Sequence, residues 1–435
     1  SLRLALFVTF CLNTLAYENT FTLSINIQTK VNQIGPWFGL DSGGNVTLDS
    51  ITVSDGTSQP PQNPPQWSNI YLAIFSKDQW QDYDLQSYLP SSDGGPACQT
   101  DDPTCIRICS IPSVKRFQIW GAPNSPYNAT LVAGLNKPIS FLVDDRNRYA
   151  LIALTCGPFS KTGTAGLSFG LQVVNPGGQH LSLEEVPLPP TFAAVLVAYA
   201  AFLLAYLVAL LRSAATRPAV PVEKALVGAL FLKLIEVCWN LGYYRAMSQD
   251  GRDSLGILLV AQIGGVVTNA VFLMLLLLIS LGWSVTRIHL TRREKQLFWG
   301  GFLLYTVFGL LHTACQTPSL CQGYLLSFYV VKFLLTFCIM VAINTNIERL
   351  RAGAMDSPLV STPTQLYHKL RMFQYVRWAF LACLVFPIAI MFIEVAVLTW
   401  EQEWVAVFLE EVLYLGVYLV MAYSLRLQPP THVPL

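Results

Sequence analysis

Seven apolar stretches, each close to the length of a membrane-spanning helix, fill the C-terminal part of this 435-residue chain. The hydrocarbon core of a bilayer is ~30 Å thick, and an α-helix that rises ~1.5 Å per residue crosses it in about 20 residues. We therefore predict a seven-helix transmembrane bundle over residues 192–426. Its spans are 192–211, 225–247, 255–281, 297–313, 324–346, 378–398 and 405–425, of which the fourth is the shortest.

Positive charges alternate between the connections of these spans, which indicates the orientation of the bundle. The first, third and fifth connections are basic; their residues are Arg212, Arg217 and Lys224, then Arg287, Arg292, Arg293 and Lys295, then Arg349, Arg351, Lys369, Arg371 and Arg377. The other three connections contain only Arg252, apart from Arg245 at a helix end. Because positive loops stay in the cytosol, we predict a lumenal or extracellular N-terminus and a cytosolic tail, 427–435.

The first residues of the chain form a short apolar segment. Residues 2–16 are almost entirely apolar, with Arg3 near the start. Such a segment is typical of a secretory signal peptide, and we assign 1–16 to one that is removed after Ala16. The alternative is an eighth helix, for which the segment is short.

Residues 17–185 show the period-two alternation of β-strands rather than helical periodicity. Ile70, Leu72 and Ile74 are one example, and Val46 and Leu48 are another. Clusters of Pro, Gly, Asn and Ser separate these short pieces. We predict a lumenal or extracellular antiparallel β-sandwich over 17–185, joined to the bundle by a linker at 186–191.

The ten cysteines divide by predicted compartment. Four lie in the β-sandwich, an oxidising location, and are disulfide candidates with three possible pairings left open: Cys98, Cys105, Cys109 and Cys156. Cys315 and Cys321 flank an outer loop and are a further candidate pair. Zinc binding at 98–109 is the alternative, but no histidine is near, so we expect no metal and no cofactor.

Two N-glycosylation triplets fall within the same predicted outer domain. They begin at Asn45 and Asn128. Such triplets are surface acceptors when they enter the secretory pathway, so both residues are predicted glycosylation sites.

Ionisable and amide side chains inside the spans predict a polar cavity. The candidate residues are Lys233, Glu236, Asn240, Lys332, Glu394 and Glu410. The first three share one face of the second span, and the last three lie ~6–12 Å below the outer surface by helical rise. Because intramembrane charges usually face a bundle interior, we predict an outward cavity in which Lys332 pairs with Glu394 or Glu410. The alternative is a buried ion pair that only fixes helix packing.

Motifs and composition exclude several classes of protein. Hydrophobic residues make up 53% of the chain and charged residues 12%, which is typical of membrane proteins, and the net charge of +1 indicates no nucleic-acid partner. HExxH, GxGD and P-loop motifs are absent, and only one histidine, His312, falls in a span. The rhodopsin-type motifs that end spans three and seven are also missing. We therefore expect neither an enzyme nor an ordinary rhodopsin-class receptor.

Three stretches resemble one family: 274–287 with Gly282-Trp283, 169–189 with Asn175, and 146–157. They are similar to the intimal-thickness-related-receptor family. That family belongs to a wider group, with the lung seven-transmembrane receptors, in which a Golgi-dynamics-like β-sandwich precedes seven helices. The resemblance implies a receptor-like protein of the Golgi, the secretory pathway or the plasma membrane.

Together these features predict a receptor-like protein that couples a lumenal lipid, small molecule or protein to cytosolic signalling, as G-protein-coupled receptors do. Besides membrane lipids, the expected partners bind the basic loops 283–296 and 347–377. The alternative function is a Golgi trafficking adaptor or a chaperone of membrane cargo, in which the β-sandwich binds proteins. A channel or transporter is a third possibility, since it would use the same intramembrane charges.

Overall fold

A computed structural model gives the fold of twelve stretches of the chain. The described residues are 20–26, 31–54, 69–79, 113–120, 130–131, 138–156, 164–214, 220–251, 255–283, 289–314, 318–356 and 363–426. The predicted signal peptide 1–16 and tail 427–435 lie outside them, as do Cys98, Cys105, Cys109, Asn128 and Cys315. The chain divides into a helical unit (187–245 and 254–435) and a β unit (17–186 with 246–253), each described by itself below.

Seven long helices make up the described part of the helical unit. They are α1 Leu188–Ala214, α2 Pro221–Asp250, α3 Leu255–Ser280, α4 Arg292–Ala314, α5 Pro318–Asp356, α6 Pro363–Ala396 and α7 Glu403–Arg426. A 3₁₀ turn, Trp400–Gln402, precedes α7. All seven are long and apolar enough to cross a membrane, which confirms the predicted seven spans.

The helices extend beyond the apolar stretches from which they were predicted. Helix α5 continues to Asp356 and α6 begins at Pro363, so most of the predicted loop 347–377 is helical. The predicted loop 283–296 likewise includes the first turn of α4. Hydropathy detects only the apolar part of a helix, whereas Arg, Glu, Leu and Ala continue its backbone hydrogen bonds with little cost. The expected loop surfaces at 292–296, 347–356 and 363–377 are therefore surfaces of helix ends.

Prolines mark helix starts within segments that were predicted to be connections, and two of them change an earlier assignment. Pro189 and Pro190 lie in the first turn of α1, inside the predicted linker 186–191. Pro318 opens α5, so Cys321 belongs to a helix rather than to the predicted outer loop. Proline suits these positions because first-turn N–H groups have no partner within the helix.

The β unit contains nine described strands. They are β1 Thr20–Asn26, β2 Val31–Leu40, β3 Asn45–Ser54, β4 Asn69–Ser76, β5 Lys115–Trp120, β6 Thr130–Leu131, β7 Ile139–Leu142, β8 Asn147–Cys156 and β9 Thr164–Val174. One sheet has the strand order β1-β9-β3-β7 and the other β2-β8-β4-β5-β6. All pairings are antiparallel except that of the two-residue β6, which runs parallel to β5.

Side chains from both sheets form one buried core. Val46 and Leu48 of the first sheet pack in the same cluster as Leu72, Ile74 and Leu151 of the second, and all five are fully buried. Burial of such a shared layer is what stabilises a two-sheet arrangement. The predicted β-sandwich is therefore confirmed.

Strand β4 departs from the expected alternation of apolar and polar residues. Tyr71, Ala73 and Phe75 are as buried as Leu72 and Ile74, which point to the opposite face. Both faces of the second sheet are thus covered around its central strand. A strand buried on both faces has a continuous apolar run rather than an alternating one.

Asn175 ties the end of β9 to the start of the chain segment that follows β2. Its Oδ1 accepts a hydrogen bond from the Asp41 N–H at 2.9 Å, and its Nδ2 donates to the Leu181 carbonyl at 2.7 Å. Gly177 and Gly178 have φ of 90° and 78°, which lets the chain turn back so that the Asn175 N–H donates to the Gln179 carbonyl. This residue of the family-like motif is therefore structural: it satisfies buried backbone groups.

A buried ion pair extends the same connection to β8. Arg148 Nη2 lies 3.1 Å from Glu184 Oε1, and the Glu184 side chain is only 7% exposed. The neighbouring Tyr149 donates its hydroxyl to the Asp145 carbonyl. Burial, reinforced by the charges of Asp145 and Asp144, raises the pKa of Tyr149 to about 12, so its phenol remains neutral and keeps donating.

Helix α3 is the central helix of the bundle. More than half of its apolar window (56%) is buried, against 33% or less in each of the other six helices. It contacts α4, α5 and α6, and its last three turns are buried almost all round. A helix that is apolar on every face can pack against neighbours all round, as this central position requires.

We predict that Asn175→Ala destabilises the β unit by about 2–3 kcal/mol, because buried backbone groups lose their partners. The matched control is Asn147→Ala, which removes an exposed hydrogen bond to Asp78 and should cost less than about 1 kcal/mol. Limited proteolysis of the full-length protein in detergent, with rising temperature, measures both effects. Equal losses in the two variants would contradict the structural role of Asn175.

Candidate functional site

Two charged residues of α2 lie on the helical stripe that faces the bundle interior. Lys233 is 3% exposed and Glu236 is 7% exposed. The same stripe contains Leu226, Leu230 and Val237, which recur at helical spacing and are fully or almost fully buried. Lys233 and Glu236 thus occupy positions at which α2 otherwise carries apolar side chains.

Glu411 of α7 completes a buried charged triad with these two residues. The Nζ atom of Lys233 lies 2.9 Å from Glu411 Oε1 and 3.2 Å from Glu236 Oε1. One ammonium group therefore bridges two carboxylates and joins α2 to α7. The spacing of three residues between Lys233 and Glu236 makes their pairing possible within one helix.

Aromatic residues of α1 and α7 enclose the triad. The hydroxyl of Tyr199 on α1 donates to Glu411, with its oxygen 3.4 Å from Oε2 and 3.3 Å from the main-chain carbonyl. The ring centre of Tyr414 lies 5.2 Å from Lys233 Nζ, which is a cation–π distance. These contacts shield the charges from apolar surroundings in which they would be costly.

Helix α3 approaches the triad through small residues. A Cβ atom added to Gly265 would lie 3.5 Å from Glu236 Oε1, and the buried Thr268 lies beside the same carboxylate. The triad therefore sits where α1, α2, α3 and α7 come together.

Two oxygen atoms at this junction have no hydrogen-bond partner among the described residues. They are Glu236 Oε2 and the hydroxyl of Tyr418, whose side chain is 1% exposed. The Tyr418 ring packs edge-on against Tyr199, with centroids 6.4 Å apart. Because a buried oxygen without a partner is costly, this junction is polar beyond what its own contacts satisfy.

The triad is also unbalanced in charge. With both carboxylates ionised, one positive and two negative groups leave an excess of one negative charge. Glu410, the neighbour of Glu411, is exposed and forms no ion pair with a described residue, although its charge interacts with those of Glu411, Lys233 and Lys332. In a low-dielectric interior, an uncompensated charge is strongly unfavourable, so the junction favours an additional positive charge.

The other predicted cavity residues lie elsewhere. Lys332, Glu394 and Glu410 are exposed on the surface of the helical unit, and Asn240 is half-buried. Among the described residues, Lys332 forms no ion pair with Glu394 or Glu410, whereas Lys233 pairs with Glu236 and Glu411. The predicted outward cavity framed by all six residues is therefore not the arrangement in this structure.

Helical phase explains the difference for Lys332. On α5, Phe328, Val331 and Leu335 take the inward positions, which leaves Lys332 at the edge. On α7, the buried residues Tyr418, Ala422 and Leu425 repeat at spacings of three and four, and Glu411 lies seven residues before Tyr418. Val417, Met421 and Ser424 are equally buried, and their stripe extends to Glu410, so helical phase alone does not separate Glu411 from Glu410.

The Gly282-Trp283 pair ends α3 with a hydrogen-bonded cap. Gly282 has φ of 77°, its N–H donates to the Ile279 carbonyl at 2.9 Å, and the Trp283 N–H donates to the Leu278 carbonyl at 3.0 Å. This is the Schellman arrangement, which requires a left-handed residue after the helix. Gly282 therefore ends α3.

A cavity of about 330 Å³ lies beside this cap, between the end of α3, the start of α4 and the second half of α5. Asn346 of α5 lines it and donates a hydrogen bond to the Ser280 carbonyl in the last turn of α3. None of the six predicted cavity residues belongs to its lining. The sequence did not indicate this cavity.

The remaining predicted sites are only partly within the described residues. Asn45 is the first residue of β3 and is half-buried, and Cys156 ends β8. Glycosylation and disulfide pairing therefore remain predictions.

Comparison with protein families gives one match. The family model of the GOST seven-transmembrane domain matches residues 187–431, which are 245 of the 435 residues of the chain. Comparison with curated proteins finds no matching sequence. The matched segment includes all seven helices, the charged triad and the Gly282-Trp283 cap.

We predict that Lys233→Met destabilises the helical unit by about 3–5 kcal/mol, because two buried carboxylates lose the cation with which they pair among the described residues. Lys332→Met is the matched control and should change stability little, since that lysine is exposed. Adding Glu236→Gln and Glu411→Gln to Lys233→Met should restore part of the loss, because no charge then remains unpaired. Thermal denaturation in detergent measures all three proteins, and equal losses from Lys233→Met and Lys332→Met would contradict the assignment.

Proposed function

Since the chain belongs to the GOST seven-transmembrane family, we propose that it is a receptor-like, non-enzymatic membrane protein whose switch is the Lys233–Glu236–Glu411 triad. The observation that carries this proposal is one buried lysine shared by two buried carboxylates where α1, α2, α3 and α7 meet. A ligand changes the packing of these helices, and the change reaches the other end of the bundle.

The triad suits a switch because two of its states differ in electrostatic free energy. A proton, or a positively charged group of a small molecule or lipid, would neutralise the excess charge. Glu236 Oε2 and the Tyr418 hydroxyl offer oxygen atoms without a described partner to such a group. A ligand that neutralises the junction favours the packing in which the four helices are closest.

Packed side chains connect the triad with the cap of α3. Phe272 of α3 contacts Tyr414 and Tyr418, with both pairs of ring centroids 5.2 Å apart. From Phe272 the buried side of α3 continues to Ser280, whose carbonyl is bound by Asn346. A rearrangement at the triad is thereby transmitted through rigid, close-packed elements.

The proposal includes an orientation and a location. Successive spans run in opposite directions, so the α1–α2, α3–α4 and α5–α6 connections share one end of the bundle, here called the basic end. Positive residues concentrate there, which supports a cytosolic basic end and a lumenal or extracellular β unit. We place the protein in the secretory pathway or the plasma membrane, with cytosolic partners at the basic end.

Reactivity of a native cysteine tests this coupling. Cys338 is a free thiol that lines the cavity between α3, α4 and α5. Glu411→Gln removes the excess charge while keeping the side-chain shape, and it should change the labelling rate of Cys338 by a membrane-permeant thiol reagent about fivefold or more. The matched control, Glu410→Gln, alters the adjacent exposed carboxylate and should leave the rate unchanged.

A Cys338→Ser background identifies the labelled residue by mass spectrometry. An unchanged rate in a folded Glu411→Gln protein would show that the triad only fixes packing. That outcome would favour the alternative, a Golgi trafficking adaptor or cargo chaperone in which the β unit binds proteins.

A further inference from the structure

Helices α3, α4 and α5 pack tightly in one region. A Cβ atom added to Gly301 of α4 would lie 2.6 Å from Leu335 Cδ2 on α5, and one added to Gly309 would lie 2.5 Å from Val266 Cγ1 on α3. A methyl group at either glycine would therefore require Leu335 or Val266 to shift. Between these contacts and the basic end, the three helices separate and enclose the cavity of about 330 Å³.

We call this cavity the α3–α5 groove. Its lining changes from apolar to charged along its length. Phe337, Cys338 and Val341 line the end nearest the tight contacts, and Leu297 of α4 belongs to the same wall. Arg349 and Glu294 lie at the mouth, on the basic end. A peptide or a water-soluble ligand gains little from such a graded lining, whereas a molecule with a tail and a headgroup matches it.

The depth of the groove matches one leaflet. Arg349 lies ten residues beyond residue 339, the midpoint of the span Leu326–Ala352, which is a rise of ~15 Å. Cys338 lies at that midpoint. Half of a ~30 Å hydrocarbon core is also ~15 Å, so the groove reaches from the centre of the bilayer to its headgroup boundary. Only lipid chains are available along that depth.

Charge at the mouth favours an anionic headgroup. The Glu294 carboxylate accepts the Thr291 N–H at 2.8 Å as part of a capping box and is thus committed to the start of α4. Arg349 of α5 is exposed and forms no ion pair with a described residue. Arg292, Arg293 and Lys295, at the start of α4, are also exposed. The N-terminus of α4 adds a further partial positive charge.

We propose that the α3–α5 groove binds one acyl chain of an anionic glycerophospholipid from the leaflet at the basic end. The chain lies along Val341 and Cys338, and the phosphate lies at Arg349. The volume of about 330 Å³ is at the small end of the range for ligand pockets and suits a single chain. This proposal does not depend on the triad acting as a switch.

Lipid retention by the full-length protein tests the proposal. The protein is first reconstituted into nanodiscs of phosphatidylcholine with phosphatidylserine and is then released into mild detergent. Lipids that remain bound are counted by native mass spectrometry. Val341→Trp fills the groove, and Val330→Trp is its matched control because both valines are 48% exposed on α5. Wild type and Val330→Trp should retain about one phosphatidylserine, and Val341→Trp should retain about fivefold less or lower.

Charge variants test the headgroup separately. Arg349→Ala should lower the preference for phosphatidylserine over phosphatidylcholine about fivefold while a lipid is still retained. Arg351→Ala, which removes a neighbouring exposed arginine, should preserve the preference. Equal retention by wild type and Val341→Trp, or equal loss from both tryptophan variants, would overturn the proposal, since the retained lipid would then be a non-specific annular one.

Discussion

The electrostatic free energy of charges removed from water governs how four of the seven helices pack. Lys233, Glu236 and Glu411 lie where apolar residues would otherwise fill the interior. Their charges are tolerated there because the Lys233 ammonium group lies within 3.2 Å of a carboxylate oxygen of each glutamate. Helices α2 and α7 cannot separate or rotate without exposing an unpaired charge to an apolar environment. The positions of Tyr199 on α1 and of the small residues of α3 follow from this requirement, since they complete the polar shell around the triad.

Different interactions hold α3 against α4 and α5. There the contacts are steric, at Gly301 and Gly309, and hydrogen-bonded, between Asn346 and Ser280. Lipid tails are as apolar as the helix surfaces, so the hydrophobic effect does not drive membrane helices together. Close van der Waals contacts of this kind associate them instead. The bundle thus has an electrostatic junction and a close-packed junction, and the central helix α3 takes part in both. This arrangement explains why a cavity can exist near the cap of α3 without loosening the triad.

The sequence predicted the architecture well because its determinants are local. Apolar stretches long enough for a bilayer can only be helices, and alternating strands separated by turn residues predict a sandwich. Helix ends were less predictable, since hydropathy stops at Arg349 although the backbone of α5 continues helical. The spacing of Lys233 and Glu236 placed them on one face. The choice between Glu410 and Glu411 was not predictable, because buried stripes of α7 extend to both residues. The groove was not predictable, because it depends on where glycines of one helix meet side chains of two others.

The unusual length of α5 has a mechanical consequence. Its 39 residues correspond to ~58 Å, about twice the thickness of the hydrocarbon core. The close contact at Leu335 acts as a fulcrum, and Asp356 lies 21 residues beyond it, or ~32 Å along the axis. A tilt of about 5° about that point displaces the end of α5 by ~3 Å. The helix is therefore a lever arm, which amplifies small adjustments within the membrane into movements large enough to be read at its surface.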